Sequence, residues 1–326
     1  MIPAVRKSFE RIRKLKIQGA WNVALESVKA LDLEMQASNA KTREEFLKQM
    51  QAAILFLRAS RPTEPALRNA LRFVFSKARK SKEQGVEKLK ELVENEARNY
   101  AFQSMETKKK IAEFGCRLVE SDSSVLIHCH SSTIMQVLKK AKDERKKFRV
   151  YCTETRPLYQ GRISARELSD YGIKTTLIVD SAANYLLSTV NDLDLVLVGA
   201  DAITSSGDLV NKIGTSQLAL SAFEHGKKLY SCTGTHKFDP LTLWGVPEPI
   251  EQRAKEELLS NAERKLLKLK NPKNLSVLNP AFDLTPAKYI TGYVTEIGIL
   301  PPQGFTAAVW KEFDLDKGEL FDFYKR

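Results

Sequence analysis

The residues Val125-Leu126-Ile127-His128-Cys129-His130-Ser131 show the pattern that decides the fold, a short apolar run that ends in polar side chains. Similar apolar runs recur later in the chain, and between them lie stretches whose apolar residues are three or four apart, as in helices. These further runs span residues 148–151, 175–179, 195–198 and 228–231, with another near 289–294. Strands that alternate with helices predict right-handed crossovers and a mostly parallel sheet covered by helices.

The first 120 residues show helical spacing throughout. Val5, Phe9 and Ile12 recur at intervals of three and four residues, and Gly19 interrupts the first helical pattern. Amphipathic helices with Lys, Arg and Glu on their polar faces are typical of a helical bundle. The sequence therefore predicts an all-helical N-terminal domain over residues 1–120 and an α/β domain with a parallel sheet over residues 121–326.

Composition limits the class of protein. The formal net charge of the 326 residues is +12, and the four cysteines have no CxxC spacing. A basic surface attracts phosphates, nucleic acid or anionic lipid, although a Lys- and Glu-rich surface like that of thermophile proteins explains the charge equally well. The cysteines indicate a reducing compartment, and the chain shows neither an apolar signal segment nor a run long enough to span a bilayer. We expect a cytoplasmic protein that does not bind membranes.

Several ligand classes are disfavoured. The basic runs at residues 77–80 and 139–142 lack interleaved aromatic residues, so we interpret them as solvated helix faces and expect no nucleic-acid partner. Successive side chains of an extended segment point to opposite faces, so we expect His128, Cys129 and His130 to bind no metal ion together. The two histidines are instead expected to pack or hydrogen-bond beside the thiol. The sequence contains neither a GxGxxG nor a P-loop motif, so it does not indicate a nucleotide cofactor.

Polar side chains follow each of the first five predicted strands, at the sheet edge where open parallel sheets bind ligands. Cys129 follows the first strand and Asp201 the fourth, so a thiol and a carboxylate face one substrate as a proton-transfer pair. Arg156 or Lys237 nearby would lower the pKa of the thiol. The alternatives are that Cys129 is a small buried side chain and that Asp201 forms a turn or caps a helix.

Three positions are candidate anion-binding sites. Arg156 has the planar fork that suits a phosphate, or it forms an ion pair with Glu154 or Glu167. Residues 211–215 are predicted to open a helix, whose first backbone N–H groups attract anions. Arg61 precedes Pro62 in the helical part, where an ordinary loop is the alternative.

Several motifs between residues 151 and 240 resemble one protein superfamily. They are Glu154-Thr155-Arg156-Pro157, Leu177-Ile178-Val179-Asp180-Ser181-Ala182, Val198-Gly199-Ala200-Asp201, Asn211-Lys212-Ile213-Gly214-Thr215 and Lys237-Phe238. This superfamily unites methylthioribose-1-phosphate isomerase, archaeal ribose-1,5-bisphosphate isomerase and the regulatory subunits of translation initiation factor 2B. The resemblance implies a Rossmann-like parallel-sheet domain preceded by a helical domain, and assembly into a homodimer or homohexamer.

The resemblance also implies a reaction. Both Cys129 and Asp201 are typical of the isomerase branch, and the His-Cys-His-Ser run with Arg61-Pro62-Thr63 is similar to the ribose-1,5-bisphosphate enzymes. The implied activity is an aldose–ketose isomerase that converts ribose 1,5-bisphosphate to ribulose 1,5-bisphosphate in AMP and nucleoside catabolism. Asp201 would assist ring opening, and Cys129, as a thiolate, would move a proton between C2 and C1. A hydride shift is the competing mechanism.

The resemblance assigns substrate contacts as well, without a metal or nucleotide cofactor. Arg61, Arg156, Lys212 and Lys237 would bind phosphates, Asn211 the sugar hydroxyls, and Ser131 with Ser132 one phosphate. One loop departs from the family pattern: an Arg-Gly-Ala-Gly-like phosphate loop is replaced by Gln18-Gly19-Ala20-Trp21. The charge is lost and a bulky ring is added, although Gly19 still leaves backbone donors for an anion. This departure favours a diverged substrate or the initiation-factor branch. The alternatives are a non-catalytic initiation-factor-2B-like regulatory subunit and, second, a methylthioribose-1-phosphate isomerase.

Overall fold

The structure is a computed structural model that describes residues 1–268 and 270–312. These residues form two compact units. A helical unit comprises Met1–Lys108 together with Thr235–Asp239, and an α/β unit comprises Lys109–Gly234 together with the described residues between 240 and 312. These units are compact groups of residues and do not establish domain limits. The predicted domains 1–120 and 121–326 therefore stay a prediction.

Helices make up the first unit, and their ends follow local sequence rules. The helices are α1 Pro3–Arg13, α2 Ala20–Gln36, α3 Arg43–Arg58, α4 Pro65–Lys80 and α5 Val86–Gly115, of which the part up to Lys108 belongs here. Gly19 has a φ of 83° and separates α1 from α2, as the sequence predicted. Thr42 caps α3 by accepting the N–H of Glu45. The apolar faces bury Ile12, Leu31 and Phe46 in one core.

A seven-stranded sheet is the centre of the α/β unit. Its strands are β1 Ser123–His128, β2 Phe148–Thr153, β3 Lys174–Ile178, β4 Leu193–Val198, β7 Lys228–Cys232, β9 Gly292–Thr295 and β10 Gly298–Leu300. The order across the sheet is β10-β9-β7-β4-β1-β2-β3, and all neighbours are parallel except β9 and β10. The central strands β1 and β4 are rich in buried Val, Leu and Ile, as expected for strands covered on both faces. The predicted Rossmann-like α/β fold behind a helical N-terminal region is confirmed.

The strand order reverses between β1 and β4. From β1 the chain continues to β2 and β3 on one side, and from β4 it continues to β7 and β9 on the other. Parallel pairing places His128 beside Val198, so the loops that follow these two strands leave the sheet at the same level. Such a reversal opens a crevice at the carboxyl ends of the strands, which is where sheets of this type bind ligands.

The remaining elements of this unit include a second sheet that the sequence did not predict. Its antiparallel strands are β5 Ala202–Ile203, β6 Leu209–Lys212 and β8 Phe282–Thr285, in the order β5-β6-β8. The helices are α6 Ser132–Asp143, α7 Gln160–Asp170, α8 Ala183–Thr189, α9 Thr215–Glu224, α10 Lys255–Leu258, α11 Asn261–Leu266 and α12 Pro302–Glu312. Asn211 and Lys212 therefore end a strand and do not open a helix, because their backbone pairs with β8.

Candidate active site

The loop after β1 holds Cys129 in a left-handed backbone conformation with a φ of 68°. Its N–H donates to the hydroxyl of Thr155 at 3.0 Å, and its carbonyl oxygen accepts a hydrogen bond from the hydroxyl of Ser164 at 3.2 Å. The side chain is half-buried. Left-handed backbone is uncommon outside glycine, so these two hydrogen bonds hold the thiol at the end of β1 in a conformation that the chain would otherwise avoid.

The electrostatic surroundings of Cys129 keep it protonated. Burial raises the pKa of the thiol to about 11, Lys212 opposes this rise, and the negative charge of Asp201 adds to it. The cation that favours a thiolate is therefore Lys212, and the expected influence of Arg156 is not among the main effects. Burial and Asp201 thus raise the pKa of the Cys129 thiol, whereas the sequence predicted that basic neighbours would lower it.

Asp201 lies after β4, and the charge of its carboxylate affects the pKa of the Cys129 thiol. Its N–H donates to the carbonyl of Val210 at 2.9 Å, which ties the loop to β6. The half-buried side chain makes no hydrogen bond within the part of the chain that the structure describes, so it does not cap a described helix. Because its charge raises the pKa of Cys129, the two groups are electrostatically coupled.

Two histidines position the loops around Cys129. His128 is buried, and its Nε2–H donates to the carbonyl of Ile213 at 2.9 Å, so its Nδ1 accepts from the hydroxyl of Thr153 at 2.7 Å. Burial lowers the pKa of His128, which is consistent with a neutral ring. His130 contacts the hydroxyl of Ser164 through Nδ1 at 3.0 Å. Both histidines make hydrogen bonds beside the thiol, as the sequence predicted.

Gly199 lets two further site residues approach the end of β4. A Cβ at this glycine would lie 3.3 Å from Oγ of Ser131 and 3.7 Å from Oδ1 of Asn211. Asn211 is buried and donates through Nδ2 to the hydroxyl of Thr215 at 2.9 Å. The structure thus brings Ser131, Asn211, Cys129, Asp201 and Lys212 together at the crevice between β1 and β4.

Ser131 is also the N-cap residue of α6. Its hydroxyl caps the helix by accepting the N–H of Ile134 at 3.5 Å, and Ser132, the first helical residue, is exposed. The first N–H groups of a helix and its dipole favour an anion. The start of α6, beside Cys129, therefore has the backbone N–H groups and the dipole that favour an anion.

Asp180 shapes the loop that holds Arg156. Its two carboxylate oxygens accept the backbone N–H groups of Thr155 and Arg156, each at 2.7 Å. The Arg156 guanidinium donates to the hydroxyl of Tyr159 and, at 3.3 Å, to the carbonyl of Leu258. The hydrogen bonds of Arg156 thus go to neutral groups, and the carboxylate of Glu263 lies within electrostatic reach of its charge.

The two acidic residues considered as partners of Arg156 have other partners. Glu154 pairs with Arg162, and Glu167 pairs with Lys139, each at 2.7 Å. The ion-pair alternative for Arg156 is therefore wrong, and its charge is not neutralised by either residue.

The start of α9 is already occupied by a carboxylate. Asp283, on β8, accepts the N–H groups of Gly214 at 2.7 Å and Ser216 at 3.1 Å. Burial raises the pKa of Asp283 to about 6, against the lowering effect of these two hydrogen bonds. The anion site predicted at residues 211–215 is thus taken by the chain itself. Sequence reasoning missed Asp283 because β8 lies far from α9 along the chain.

The other candidate residues lie in the helical unit. Gln18 donates through its side-chain amide to the carbonyl of Leu15 at 3.1 Å, and Gly19 and Ala20 lead into α2. Trp21 is buried, and Arg61 is paired with the carboxylate of Glu64 at 3.6 Å.

Lys237 is buried in a turn that α4 holds in place. Asn69 donates to the carbonyls of His236 at 2.7 Å and Phe238 at 2.8 Å, on either side of Lys237. Arg68 forms a buried ion pair with Asp239 at 3.0 Å. The sequence did not predict these contacts of Asn69 or the pair of Arg68 and Asp239, which have no local sequence signal.

Among residues 1–268 and 270–312, no group of three or more His, Cys, Asp or Glu side chains is arranged to hold a metal ion. None of the described helices is both long enough and apolar enough to cross a bilayer.

Comparison with known proteins gives consistent matches over nearly the whole chain. The profile of the initiation factor 2 subunit family matches residues 16–302. The ribose 1,5-bisphosphate isomerase of Methanocaldococcus jannaschii is 38% identical over 95% of this chain and 95% of its own length.

Two solved structures from Pyrococcus horikoshii OT3 share the fold. A translation initiation factor eIF-2B superposes with a TM-score of 0.76 at 25% identity, covering 93% of this chain and 98% of its own. A 5-methylthioribose 1-phosphate isomerase superposes with a TM-score of 0.75 at 30% identity, covering 96% of this chain and 88% of its own. These matches confirm the resemblance found in the sequence.

Proposed function

The chain belongs to the initiation factor 2 subunit family, and we propose that it is an aldose–ketose isomerase that converts ribose 1,5-bisphosphate to ribulose 1,5-bisphosphate. The observation that carries the proposal is the coupled pair of Cys129 and Asp201 at the reversal of strand order. The M. jannaschii relative, named ribose 1,5-bisphosphate isomerase, supports this choice of substrate.

The proposed reaction moves one hydrogen from C2 to C1 of the sugar. Because the phosphate on C1 prevents a free aldehyde, the ring opens first: Asp201, in its acid form, donates a proton to the ring oxygen as the bond from that oxygen to C1 breaks. Cys129, as a thiolate, then removes the proton from C2, which leaves an enol phosphate. The thiol returns this proton to C1 while the C2 hydroxyl gives its proton to Asp201, so both groups regain their starting forms.

The free protein is one proton transfer away from that starting state. With a pKa of about 11 the thiol is protonated at neutral pH, so we propose that its proton passes to the carboxylate of Asp201 before turnover. Lys212 favours the resulting thiolate. A hydride shift would leave no solvent deuterium on C1 when the reaction runs in D2O. The proposed transfer places deuterium on C1 to the extent that the thiol proton exchanges with solvent before it returns.

The substrate contacts are proposals that follow the same family pattern. Ser131 and Ser132 at the start of α6 bind one phosphate, Lys212 and Arg156 provide positive charge, and Asn211 binds sugar hydroxyls. The residues of the helical unit keep the phosphate-binding role that the resemblance implies; they are Gln18, Gly19, Ala20, Trp21, Arg61 and Lys237. We further propose that the enzyme works in the cytoplasm as a homodimer or homohexamer, which sedimentation velocity would reveal.

The loop Gln18-Gly19-Ala20-Trp21 favours a second candidate, a non-catalytic regulatory subunit, because it lacks the arginine of the isomerases. The experiment that separates the candidates incubates purified protein with ribose 1,5-bisphosphate and, in parallel, with methylthioribose 1-phosphate, and follows both by NMR. We expect the ketose to form only from ribose 1,5-bisphosphate. Turnover of methylthioribose 1-phosphate alone would assign the other isomerase activity. Capture of initiation factor 2 without any turnover would establish the regulatory subunit.

A further inference from the structure

A series of buried polar groups in the α/β unit ends at the backbone of Cys129. The N–H of Cys129 donates to the hydroxyl of Thr155 at 3.0 Å, and the hydroxyl oxygens of Thr155 and Thr153 are 3.3 Å apart. The hydroxyl of Thr153 in turn lies 2.7 Å from Nδ1 of His128. We call these side chains of His128, Thr153 and Thr155 the His128 chain. None of the three residues is more than 3% exposed, so their hydrogen bonds are shielded from solvent.

The tautomer of His128 sets the direction of the hydrogen bonds in the His128 chain. A carbonyl oxygen only accepts, so Nε2 carries the hydrogen that is donated to the carbonyl of Ile213 at 2.9 Å. Burial lowers the pKa of His128, so the ring is neutral and its Nδ1 accepts from the hydroxyl of Thr153. Thr153 then has no hydrogen left for Thr155. The hydroxyl of Thr155 therefore donates to Thr153, and its oxygen accepts the N–H of Cys129.

The last hydrogen bond of the chain joins two residues with uncommon backbone conformations. The φ of Cys129 is 68° and that of Thr155 is 61°, both in the left-handed region. A β-branched residue such as Thr155 is rare there, and such conformations persist only where the surrounding contacts hold them. The carboxylate of Asp180 holds Thr155 by accepting its N–H at 2.7 Å. The acceptor that holds the N–H of Cys129 is the hydroxyl of Thr155, whose orientation depends on the His128 chain.

The segment after β6 fixes the other side of the imidazole. The N–H of Ile213 donates to the carbonyl of Ala281 at 3.0 Å, and the N–H of Gly214 donates to Asp283 at 2.7 Å. A Cβ at Gly214 would lie 3.2 Å from Nε2 of His128, so the glycine allows the ring to approach closely. The carbonyl that selects the tautomer is thus held in place by the backbone next to β8.

We propose that His128 is a positioning residue for Cys129, which it holds in the left-handed conformation through Thr153 and Thr155. This inference rests on the proposed isomerase function for its effect on turnover, and it adds a residue that acts through the backbone of Cys129. When the chain is broken, the loop relaxes and the thiol becomes more exposed. Because burial is the main cause of the raised pKa of Cys129, the relaxed thiol reacts faster with an alkylating reagent while the isomerase becomes slower.

Labelling of the full-length protein with iodoacetamide tests this role without turnover. Thr153→Val removes the hydroxyl between His128 and Thr155 and keeps the shape of the side chain. The matched control is Thr285→Val, because Thr285 is a buried threonine of the same unit and its hydroxyl has no hydrogen-bond partner within residues 1–268 and 270–312. At neutral pH we expect Cys129 to be alkylated about 10-fold faster in Thr153→Val than in Thr285→Val, as for the loss of one buried hydrogen bond.

The other cysteines of the sheet report whether the change is local. Cys152 and Cys232 are buried, and mass spectrometry of their peptides should show equally slow alkylation in both variants. Equal alkylation rates of Cys129 in the two variants would overturn the proposal. A parallel rise at Cys129, Cys152 and Cys232 would overturn it as well, because it would mean that Thr153 stabilises the whole sheet.

Two substitutions of His128 separate the roles of its ring nitrogens. His128→Asn places an amide oxygen near the position of Nδ1, where it can accept from Thr153, whereas the longer His128→Gln reaches Ile213 and leaves Thr153 without that acceptor. We expect His128→Gln to show the fast alkylation of Thr153→Val and His128→Asn to keep most of the slow rate of wild type. Identical rates for the two substitutions would show that the ring only fills space.

Isomerase kinetics separate this inference from the proposed function. Relative to Thr285→Val, we expect Thr153→Val to lower kcat for ribose 1,5-bisphosphate about 10-fold with little change in KM, because the His128 chain acts on Cys129. Faster alkylation of Cys129 in Thr153→Val, with no turnover by wild type, would reject the proposed function and retain the positioning role. An active wild type, with equal kcat and equal alkylation in the two threonine variants, would reject the positioning role alone.

Discussion

Helices α6 and α9 of the α/β unit differ in what their first residues contact. α6 starts with the cap of Ser131 and an exposed Ser132, whereas the first N–H groups of α9 donate to the buried carboxylate of Asp283. One helix start is open to an anion from solution and the other already holds an internal one. A helix start can bind a ligand only when no distant part of the chain occupies it, so we expect anion binding at α6 and not at α9.

The largest expected effect comes from a substitution that places a carboxylate of the chain at the start of α6, as Asp283 does at the start of α9. Ser132→Glu places a carboxylate at the first residue of α6, where we propose that a substrate phosphate binds. Affinity for ribose 1,5-bisphosphate should fall about 100-fold by like-charge repulsion, while stability is unchanged or slightly raised because acidic residues favour helix starts. Ser132→Gln is the neutral control of the same length. Equal KM values and unchanged melting for the two variants would show that no phosphate binds at α6.

The next effect concerns the pH dependence of stability at α9. The pKa of Asp283 is about 6 in the folded chain and near 3.8 when unfolded, so the folded state binds more protons between these values. The free energy of unfolding should therefore fall by on the order of 1–3 kcal/mol as pH rises from about 4 to 7. Urea unfolding of wild type and Asp283→Asn across this range measures the effect. Because the variant cannot titrate here, parallel curves for the two proteins would contradict the raised pKa.

The smallest expected effect tests whether the start of α9 can bind an anion from solution. Asp283→Ala removes the internal carboxylate and leaves the N–H groups of Gly214 and Ser216 for an external anion. Phosphate should then stabilise the variant by about 1 kcal/mol more than it stabilises wild type. The measurement is chemical unfolding in phosphate and in chloride at equal ionic strength. The same increment in both proteins would mean that the start of α9 does not bind an anion even when vacated.

The sequence predicted those parts of the molecule that local patterns determine. The strands from β1 to β4 and β7 were foreseen because short apolar runs and helical spacing alternate, and parallel pairing then brings Cys129 and Asp201 to one edge. The strands β5, β6 and β8 were missed, because β6 and β8 pair across a long sequence separation and β5 has only two residues. The role of Asp283 depends on that missed pairing.

Protonation states were equally beyond the sequence. The cysteine after β1 was expected as a thiolate because basic residues occur in the neighbouring loops. Its pKa follows instead from burial, which outweighs the opposing effect of Lys212. Burial of a particular side chain depends on how the loops pack, and no local motif encodes that packing.

The rates of Cys129→Ser and Asp201→Asn with ribose 1,5-bisphosphate test the central claim most directly, because each change keeps the shape of its side chain and alters proton transfer. We predict that each variant loses about 10³-fold or more in kcat, while circular dichroism and thermal melting remain those of wild type. Rates like that of wild type in both folded variants would contradict the assignment of Cys129 and Asp201 as the proton-transfer pair.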